Sequence, residues 1–181
     1  MPLALLEVFG AALYRILPHP PNLTPLAAMA FVGGLYLGRR HALWIPLMAL
    51  AVSDVLLGLA RGYPIIHHAT WAVYGAFLLI GAIGLALRRS RSPLLLFAGI
   101  LTGSLFFFLL TNTAAWLALP QLYARSLSGW VSAIAAGLPF YRMQLLGDLG
   151  FTALFVGAIE LARRTTTDTA WAWVARPAAD R

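Results

Sequence analysis

The chain has 181 residues, of which 61% are hydrophobic and 10% are charged, and its formal net charge is +7. Because an ordinary soluble domain carries roughly 25% charged residues, this composition excludes a soluble globular protein. All 13 basic residues are arginines in or near the gaps between apolar runs, which is typical of membrane topology and not of a nucleic-acid footprint. The chain has no cysteine, which excludes disulfides, thiolate metal ligands and a cysteine nucleophile.

Six apolar segments are predicted to form transmembrane helices, since about 20 apolar residues cross the hydrocarbon core of a bilayer. The first two are short for a full crossing, which favours a tilt, a kink or partial insertion. The second carries Ala30, Gly34 and Gly38, a small-xxx-small stripe that predicts close helix packing. In chain order, the six predicted helices cover 2–17, 24–38, 42–60, 67–87, 93–115 and 140–163.

A shorter helix is predicted over 127–138, between the fifth and sixth transmembrane helices. Ser126 or Ser128 is suited to cap its start, because a serine hydroxyl can accept a hydrogen bond from a free main-chain N–H of the first turn. The "GLP" sequence at 137–139 is predicted to end this helix, since proline cannot continue the main-chain hydrogen bonding.

The distribution of arginines predicts the orientation. With the N-terminus inside, nine arginines fall in cytoplasmic segments and four in outer segments, so the positive-inside rule places both termini in the cytoplasm. The sequence therefore predicts an all-α integral protein of the inner (cytoplasmic) membrane, a bundle of six transmembrane helices with N-in and C-in topology. Residues 1–164 are predicted to form one transmembrane domain and residues 165–181 a cytoplasmic tail.

The outer connectors differ from the inner ones in composition. The inner connectors "GRRH" and "RRSRSP" are short and basic, whereas the outer ones are longer and carry Pro, His, Asn, Trp, Tyr and Arg. Long connectors that are this apolar and aromatic are typical of functional segments and not of disorder. The outer connectors are "RILPHPPNLTP", "LARGYPIIHHATW" and "TNTAAWLALPQLYARSLSGWVSAIAAGLPFYRM". We therefore predict a ligand site on the outer side.

Two acidic and two basic side chains are predicted to lie near that side. Asp54 and Asp148 lie roughly 9 Å and 12 Å beneath the outer ends of their helices, and Arg15 and Arg142 lie near the outer ends of theirs. Ionisable groups inside a membrane are unfavourable unless they are paired or functional. Two compatible interpretations remain open. In one, the arginines pair with the aspartates and hold helices together; in the other, the four groups form the bottom of a polar cavity and contact a ligand.

Three histidines and several aromatic side chains on the outer side are further candidates. Adjacent His67 and His68 point about 100° apart on a helix, and with His19 they show no metal-ligand spacing, so no metal site is predicted. For Trp116 and Tyr123, an aromatic belt at the membrane surface and stacking on a flat ligand both remain open. The residues predicted to line or brace the pocket are Arg15, His19, Asn22, Asp54, His67, His68, Asn112, Trp116, Tyr123, Arg142 and Asp148.

The order of these segments resembles the substrate-binding S-components of energy-coupling factor (ECF) vitamin transporters. A short apolar helix and a polar loop lead into "NLTPLAAMAFVGGLYLG", a basic hinge and "ALWIPLMALAVSDVLLG". More specifically, "RILPHPPNLTPLAAMA", "SDVLLG" and "LPFYRMQLLGDLGFTALFVG" resemble a small uncharacterised family of membrane transport proteins related to those S-components. The resemblance implies six helices, an outward-facing pocket formed by the helix 1–2, 3–4 and 5–6 connectors, and a vitamin-like micronutrient as ligand.

The resemblance also indicates whether the protein docks on an energising module. S-components that dock on a shared energising module carry an A-x-x-x-A motif in the first helix. Here Ala4 is followed four positions later by Val8, and Ala11 by Arg15, which favours a solitary transporter. Solitary members of the group that take up cobalamin use a cysteine, so a corrinoid would here need a histidine or no protein ligand.

The sequence thus predicts an uptake protein that binds a small micronutrient and is not an enzyme, with no catalytic residue, no nucleic-acid partner and no identified cofactor. It contains no G-x-S-x-G, H-E-x-x-H, P-loop or CxxC motif. Two alternatives remain open. One is a membrane-embedded enzyme that uses Asp54 and Asp148, and the other is a structural or assembly subunit of a membrane complex.

Overall fold

The computed structural model places five helices, and no strand, in the part of the chain that it describes. A further short helical stretch includes residues 13–15. The five helices are α1 (Leu26–Tyr36), α2 (Arg39–Arg61), α3 (Thr70–Leu87), α4 (Pro93–Ala118) and α5 (Leu127–Thr165). The structure describes residues 10, 13–15, 17–18, 20–37, 39–62, 64–67, 69–90 and 92–165.

The short helix α1 lies at the centre of the bundle and contacts each of the other four helices. All of its residues from Leu26 to Leu35 are buried. This helix is apolar on every side, and such a helix is stable only when neighbours cover it all round. At its C-terminal end, Tyr36 donates a hydrogen bond to the Glu160 carboxylate of α5 at 2.8 Å.

The backbones of α1 and α3 are in direct contact where the two helices cross. A Cβ atom on Gly84 would lie 2.2 Å from the main-chain oxygen of Phe31, and one on Gly34 would lie 2.5 Å from that of Gly81. Glycine allows this approach because it has no side chain. The predicted close packing along the small-residue stripe is thus confirmed at Gly34, whereas Gly38 lies outside the described residues.

Four helices, α2 to α5, are long and apolar enough to cross a membrane. Between 17% and 33% of the residues in their apolar windows are buried inside the bundle, so most of these residues keep part of their surface on the outside. Such a surface is suited to lipid. The enclosed helix α1 has 11 residues, about 16 Å, which is shorter than the roughly 30 Å hydrocarbon core. The protein is therefore an all-helical, multi-pass membrane protein.

Helix α5 is a single helix of 39 residues that runs through the predicted break. The prediction of a separate helix over 127–138 is therefore wrong. Pro139 lies inside α5, and a proline there removes one main-chain hydrogen bond, which membrane helices tolerate. Packing on α4 supports the same region, since a Cβ atom on Gly137 would lie 2.3 Å from the Asn112 side chain. With 39 residues, α5 is roughly 58 Å long, more than a bilayer core requires.

The start of α5 is capped by a serine and hydrogen-bonded to α4. Of the two serines predicted as a cap, Ser126 accepts a hydrogen bond from the main-chain N–H of Gly129 at 3.2 Å. One turn into the helix, the Trp130 indole donates to the Thr113 hydroxyl of α4 at 2.9 Å. The first predicted helix lies mostly outside the described residues, as does the predicted tail beyond Thr165.

Candidate functional site

A cavity of about 340 Å³ lies among the five helices. It is lined by residues from the second half of α2 and the first half of α3, so it lies toward the end of the bundle that carries the connectors 62–69 and 119–126. The lining residues are Arg15, Asn22, Thr24, Leu26, Ala27, Leu50, Leu57, Val73, Phe77, Phe107, Gln144 and Asp148.

The proline-rich segment before α1 forms the rim of this cavity. Asn22 adopts a left-handed backbone conformation with φ of 63°, which asparagine accepts more readily than most residues. The main-chain N–H of Leu23 donates to the Pro20 carbonyl at 3.1 Å and closes the turn. Asn22 is exposed and Thr24 is half-buried, so the turn lies where the cavity meets the surface.

Arg15 connects the N-terminal segment to α2 beside the cavity. Its Nη1 donates to Oδ1 of Asp54 at 2.7 Å and also to the Ser53 hydroxyl. Ser53 in turn donates to the main-chain carbonyl of Leu50 at 2.8 Å. The Tyr74 hydroxyl of α3 donates to the other carboxylate oxygen of Asp54 at 3.4 Å. One hydrogen-bonded network therefore joins the N-terminal segment, α2 and α3 beside the cavity.

Gln144 and Asp148 of α5 form the buried polar part of the cavity, with 6% and 4% of their surfaces exposed. Gln144 Nε2 donates to the main-chain carbonyl of Ser104 in α4 at 2.9 Å and to the Ser104 hydroxyl at 3.0 Å. The same nitrogen lies 3.5 Å from Oδ2 of Asp148. The two side chains therefore supply amide and carboxyl groups to the cavity wall, held against α4.

Most of the remaining wall is apolar. Phe77 of α3 and Phe107 of α4 pack with their ring centroids 5.3 Å apart, and Leu57 and Val73 continue the surface. Apolar walls with a few fixed polar groups are typical of sites for small organic ligands. Walls of this kind suit packing against a small molecule, and the polar groups are placed where they could fix its orientation.

The structure brings together part of the predicted site. Arg15, Asn22 and Asp148 line the cavity, and Asp54 adjoins it through its ion pair with Arg15. The sequence predicted that Arg15 and Arg142 pair with Asp54 and Asp148, and the Arg15–Asp54 ion pair is present. Arg142 is exposed on α5, six positions before Asp148, which places the two side chains on different faces of the helix.

His67 has a structural role at the start of α3. Its Nδ1 accepts a hydrogen bond from the main-chain N–H of Ala69 at 3.3 Å, and its own N–H donates to the Thr70 hydroxyl at 2.9 Å. The side chain is exposed and does not line the cavity. The other two predicted histidines, His19 and His68, lie outside the described residues.

Three further candidates stabilise α4 and the connector that follows it. Asn112 donates to the main chain of α4 one turn earlier at 2.8 Å. The Trp116 indole donates to the carbonyl of Ala124 at 2.9 Å, and the Arg125 guanidinium lies 5.8 Å from the centre of its ring. Tyr123 is half-buried in the same connector. None of these described side chains lines the cavity.

The cavity therefore depends less on the connectors than the sequence suggested. Among the described residues, the lining comes from the segment before α1 and from the helices themselves. The connectors 62–69 and 119–126 contribute no described lining residue. Among their described side chains, His67 serves the start of α3, and Arg125 donates to the main-chain carbonyl of Leu117 and lies over the ring of Trp116 in α4.

A family model matches residues 1–171, which include all five helices and the whole cavity. The chain belongs to DUF6580, a family of unknown function. No curated protein and no solved structure matches it. The DUF6580 match therefore covers the bundle and the cavity together.

Sequence reasoning missed three polar residues of the site: Thr24, Ser104 and Gln144. Gln144 lies four positions before Asp148, so helical periodicity places both on one face, and that spacing was a usable signal. Ser104 offered no comparable signal, because its partner Gln144 is 40 positions away in the chain. Only the packing of α4 against α5 makes the contact.

Proposed function

We propose that this protein is a membrane uptake protein that captures a small, vitamin-like micronutrient from the outer side of the inner membrane. The observation that carries the proposal is the cavity of about 340 Å³, with apolar walls and a buried amide and carboxyl. Sites for small molecules are commonly concave, mostly apolar pockets of roughly 300–1,000 Å³ with a few fixed polar groups.

The cavity favours a ligand with one or two rings and a hydrogen-bond donor. Phe77 and Phe107 suit packing against a planar ring. The oxygens of Gln144 and Asp148 suit an N–H or O–H group of the ligand. A volume of about 340 Å³ is small for a corrinoid, so a smaller vitamin-like compound is the better candidate.

The distribution of arginines supports access from outside. The cavity lies toward the end of the bundle opposite to Arg88 and Arg89. The positive-inside rule favours the cytoplasm for that arginine-rich end. In this N-in, C-in orientation the ligand enters past Asn22 and Thr24.

The resemblance to ECF S-components extends the proposal to six spans and to inward release of the ligand. Four described helices are long enough to span, so α1 and the first predicted helix would together supply the other two membrane segments. Its departures from the A-x-x-x-A docking motif at Ala4 and Val8 favour a solitary transporter over one that needs an energising module. Both residues lie outside the described part of the chain.

Native mass spectrometry of protein gently extracted from its own membrane tests the proposal. We expect a small molecule that is not a lipid to remain bound to the wild-type protein. Val73→Phe adds a ring to the cavity lining and is expected to remove that molecule. Val55→Phe, a matched change at a side chain of α2 that is 42% exposed, is expected to retain it.

Three other results argue against the proposal. A bound molecule that survives in Val73→Phe, with that variant still monodisperse on size exclusion, has its site elsewhere. A fixed protein partner without any small molecule favours an assembly subunit. Chemical conversion of the bound molecule that is lost in both Asp54→Asn and Asp148→Asn favours a membrane-embedded enzyme.

A further inference from the structure

A second, much smaller cavity adjoins the large one, and Ala27 and Asp148 line both. Its volume is about 10 Å³, close to the roughly 10–15 Å³ that a single water molecule needs. Its polar lining consists of Ser104 from α4 and of Asp148 and Thr152 from α5. The rest of its lining is apolar and comes from α1, α3 and α4, so the three polar side chains border one small space between four helices.

Thr152 presents an unsatisfied hydroxyl at this cavity. The residue is 4% exposed, and among the described residues its Oγ1 has no hydrogen-bond partner. Other threonines in these helices donate to the carbonyl four positions earlier, as Thr102 does to Ala98 and Thr111 does to Phe107, each at 2.8 Å. A buried hydroxyl without a partner is unfavourable. The exception at Thr152 indicates that this oxygen serves something other than its own helix.

Asp148 adds a carboxyl group to the same space. It is 4% exposed, and among the described residues no basic side chain lies within ion-pair distance of it. Its contact with Gln144 is long, at 3.5 Å. A buried carboxylate without a counter-charge is strongly unfavourable. Such a carboxyl group is stabilised either by a proton or by a bound cation, and the neighbouring space admits only a very small cation.

We propose that Asp148, Ser104 and Thr152 bind one sodium ion in this small cavity. Carboxylate and hydroxyl oxygens are ligands that hard cations prefer. One carboxylate balances one positive charge, which favours a monovalent ion. Mg²⁺ keeps several of its waters, which this space cannot hold, and Mg²⁺ or Ca²⁺ would leave an excess positive charge beside a single carboxylate. Na⁺ is smaller than a water molecule and fits, whereas K⁺ is about as large as one and fits less well.

The position of the ion gives it a direct connection to the large cavity. Asp148 lines both spaces, so the ion lies next to any molecule in the large cavity. Two ligands that share a residue change each other's affinity by the same factor. Ion and substrate sites that adjoin within the membrane are the arrangement on which secondary transporters depend. The sodium site itself requires no organic ligand.

Thermal unfolding of the purified full-length protein in detergent, with no organic ligand added, tests the site. With choline chloride keeping the ionic strength constant, NaCl is expected to raise the unfolding temperature saturably and KCl much less. Thr152→Val keeps the shape and removes one oxygen, and is expected to weaken the apparent Na⁺ affinity roughly tenfold or more. Thr102→Val, a matched change at an exposed threonine of α4, is expected to keep the wild-type affinity.

Binding of radioactive sodium gives a second readout, with one ion per protein expected in the wild type and none in Asp148→Asn. The proposal is overturned by an unfolding temperature that responds equally to Na⁺, K⁺ and choline, or by unchanged Na⁺ affinity in Thr152→Val. It is also overturned by a stability that depends on pH but not on Na⁺, which would assign a proton to Asp148. These measurements use no organic ligand, so their failure leaves the proposed uptake function to its own test.

Discussion

Arg15 and Asp54 are 39 positions apart in the chain and form an ion pair of 2.7 Å between the N-terminal segment and α2. The two side chains are 21% and 13% exposed, so the pair is largely removed from water. Asp54 also accepts a hydrogen bond from Tyr74 of α3. One carboxylate thus joins three parts of the chain beside the cavity and holds Arg15 in its wall.

Removal of Arg15 is expected to destabilise the protein more than removal of an exposed arginine. Arg15→Gln leaves the partly buried Asp54 without its counter-charge, with an expected loss of about 1.5–3 kcal/mol in the free energy of unfolding. Arg142→Gln changes an exposed side chain of α5, with an expected effect within about 0.5 kcal/mol. Denaturant titration in detergent, followed by tryptophan fluorescence, measures both.

A double-mutant cycle separates the pair from other effects of the two substitutions. Arg15→Gln combined with Asp54→Asn is expected to cost less than the sum of the single changes, with a coupling of at least about 0.5 kcal/mol, because either single change already removes the interaction. Strict additivity would show that the two side chains stabilise the fold independently.

The crossing of α1 and α3 is expected to reject even one methyl group. In Gly84→Ala the new Cβ atom would lie 2.2 Å from the main-chain oxygen of Phe31, so the helices must separate. Overpacking of this kind is unfavourable by about 1–3 kcal/mol. Gly75→Ala on the same helix meets nothing within 4 Å and is expected to be neutral or stabilising, since alanine favours helix. Size exclusion after heating ranks the two variants, and equal midpoints would contradict the close crossing.

The hydrogen bonds from Gln144 to Ser104 are expected to contribute to the association of α4 and α5. Gln144→Leu removes both bonds at a site that is 6% exposed, and the expected loss is about 1–3 kcal/mol, because the Ser104 groups are left without their donor. Gln121→Leu, in the exposed connector between the two helices, is the control and is expected to change little. The same denaturant titration applies. Equal stability of the two variants would mean that these bonds contribute nothing net.

The proposed topology can be measured directly, because the chain contains no cysteine and single cysteines need no background removal. Gln121→Cys lies in the connector before α5, and Ser90→Cys lies between α3 and α4. With the cavity facing outward, a membrane-impermeant maleimide applied to spheroplasts is expected to label Gln121→Cys. Ser90→Cys is expected to react only after the membrane is permeabilised. The reverse pattern would place the cavity on the cytoplasmic side.

The composition and the lengths of the apolar runs by themselves determined that this is an all-helical membrane protein. The ends of α2, α3 and α4 were predicted to within about three residues, because arginine clusters and turn residues mark the ends of the apolar runs. The small-residue stripe located the close crossing at Gly34 for a similarly local reason. Arg15, Asn22 and Asp148 were predicted as cavity residues because polar groups near an apolar span are unfavourable unless they are used.

Only the tertiary structure decided which of these groups meet. Arg142 is as polar as Arg15, yet α5 begins at Leu127 and not at 140, so Arg142 lies within the helix and on a different face from Asp148. The local signal of Pro139 predicted a break, and α5 continues through it, with Gly137 packed on Asn112 of α4. Contacts such as Gln144 with Ser104 join residues 40 positions apart. Such contacts form only when two helices pack against each other. Helix packing depends on the surfaces of both helices, so the sequence of either helix alone does not predict it.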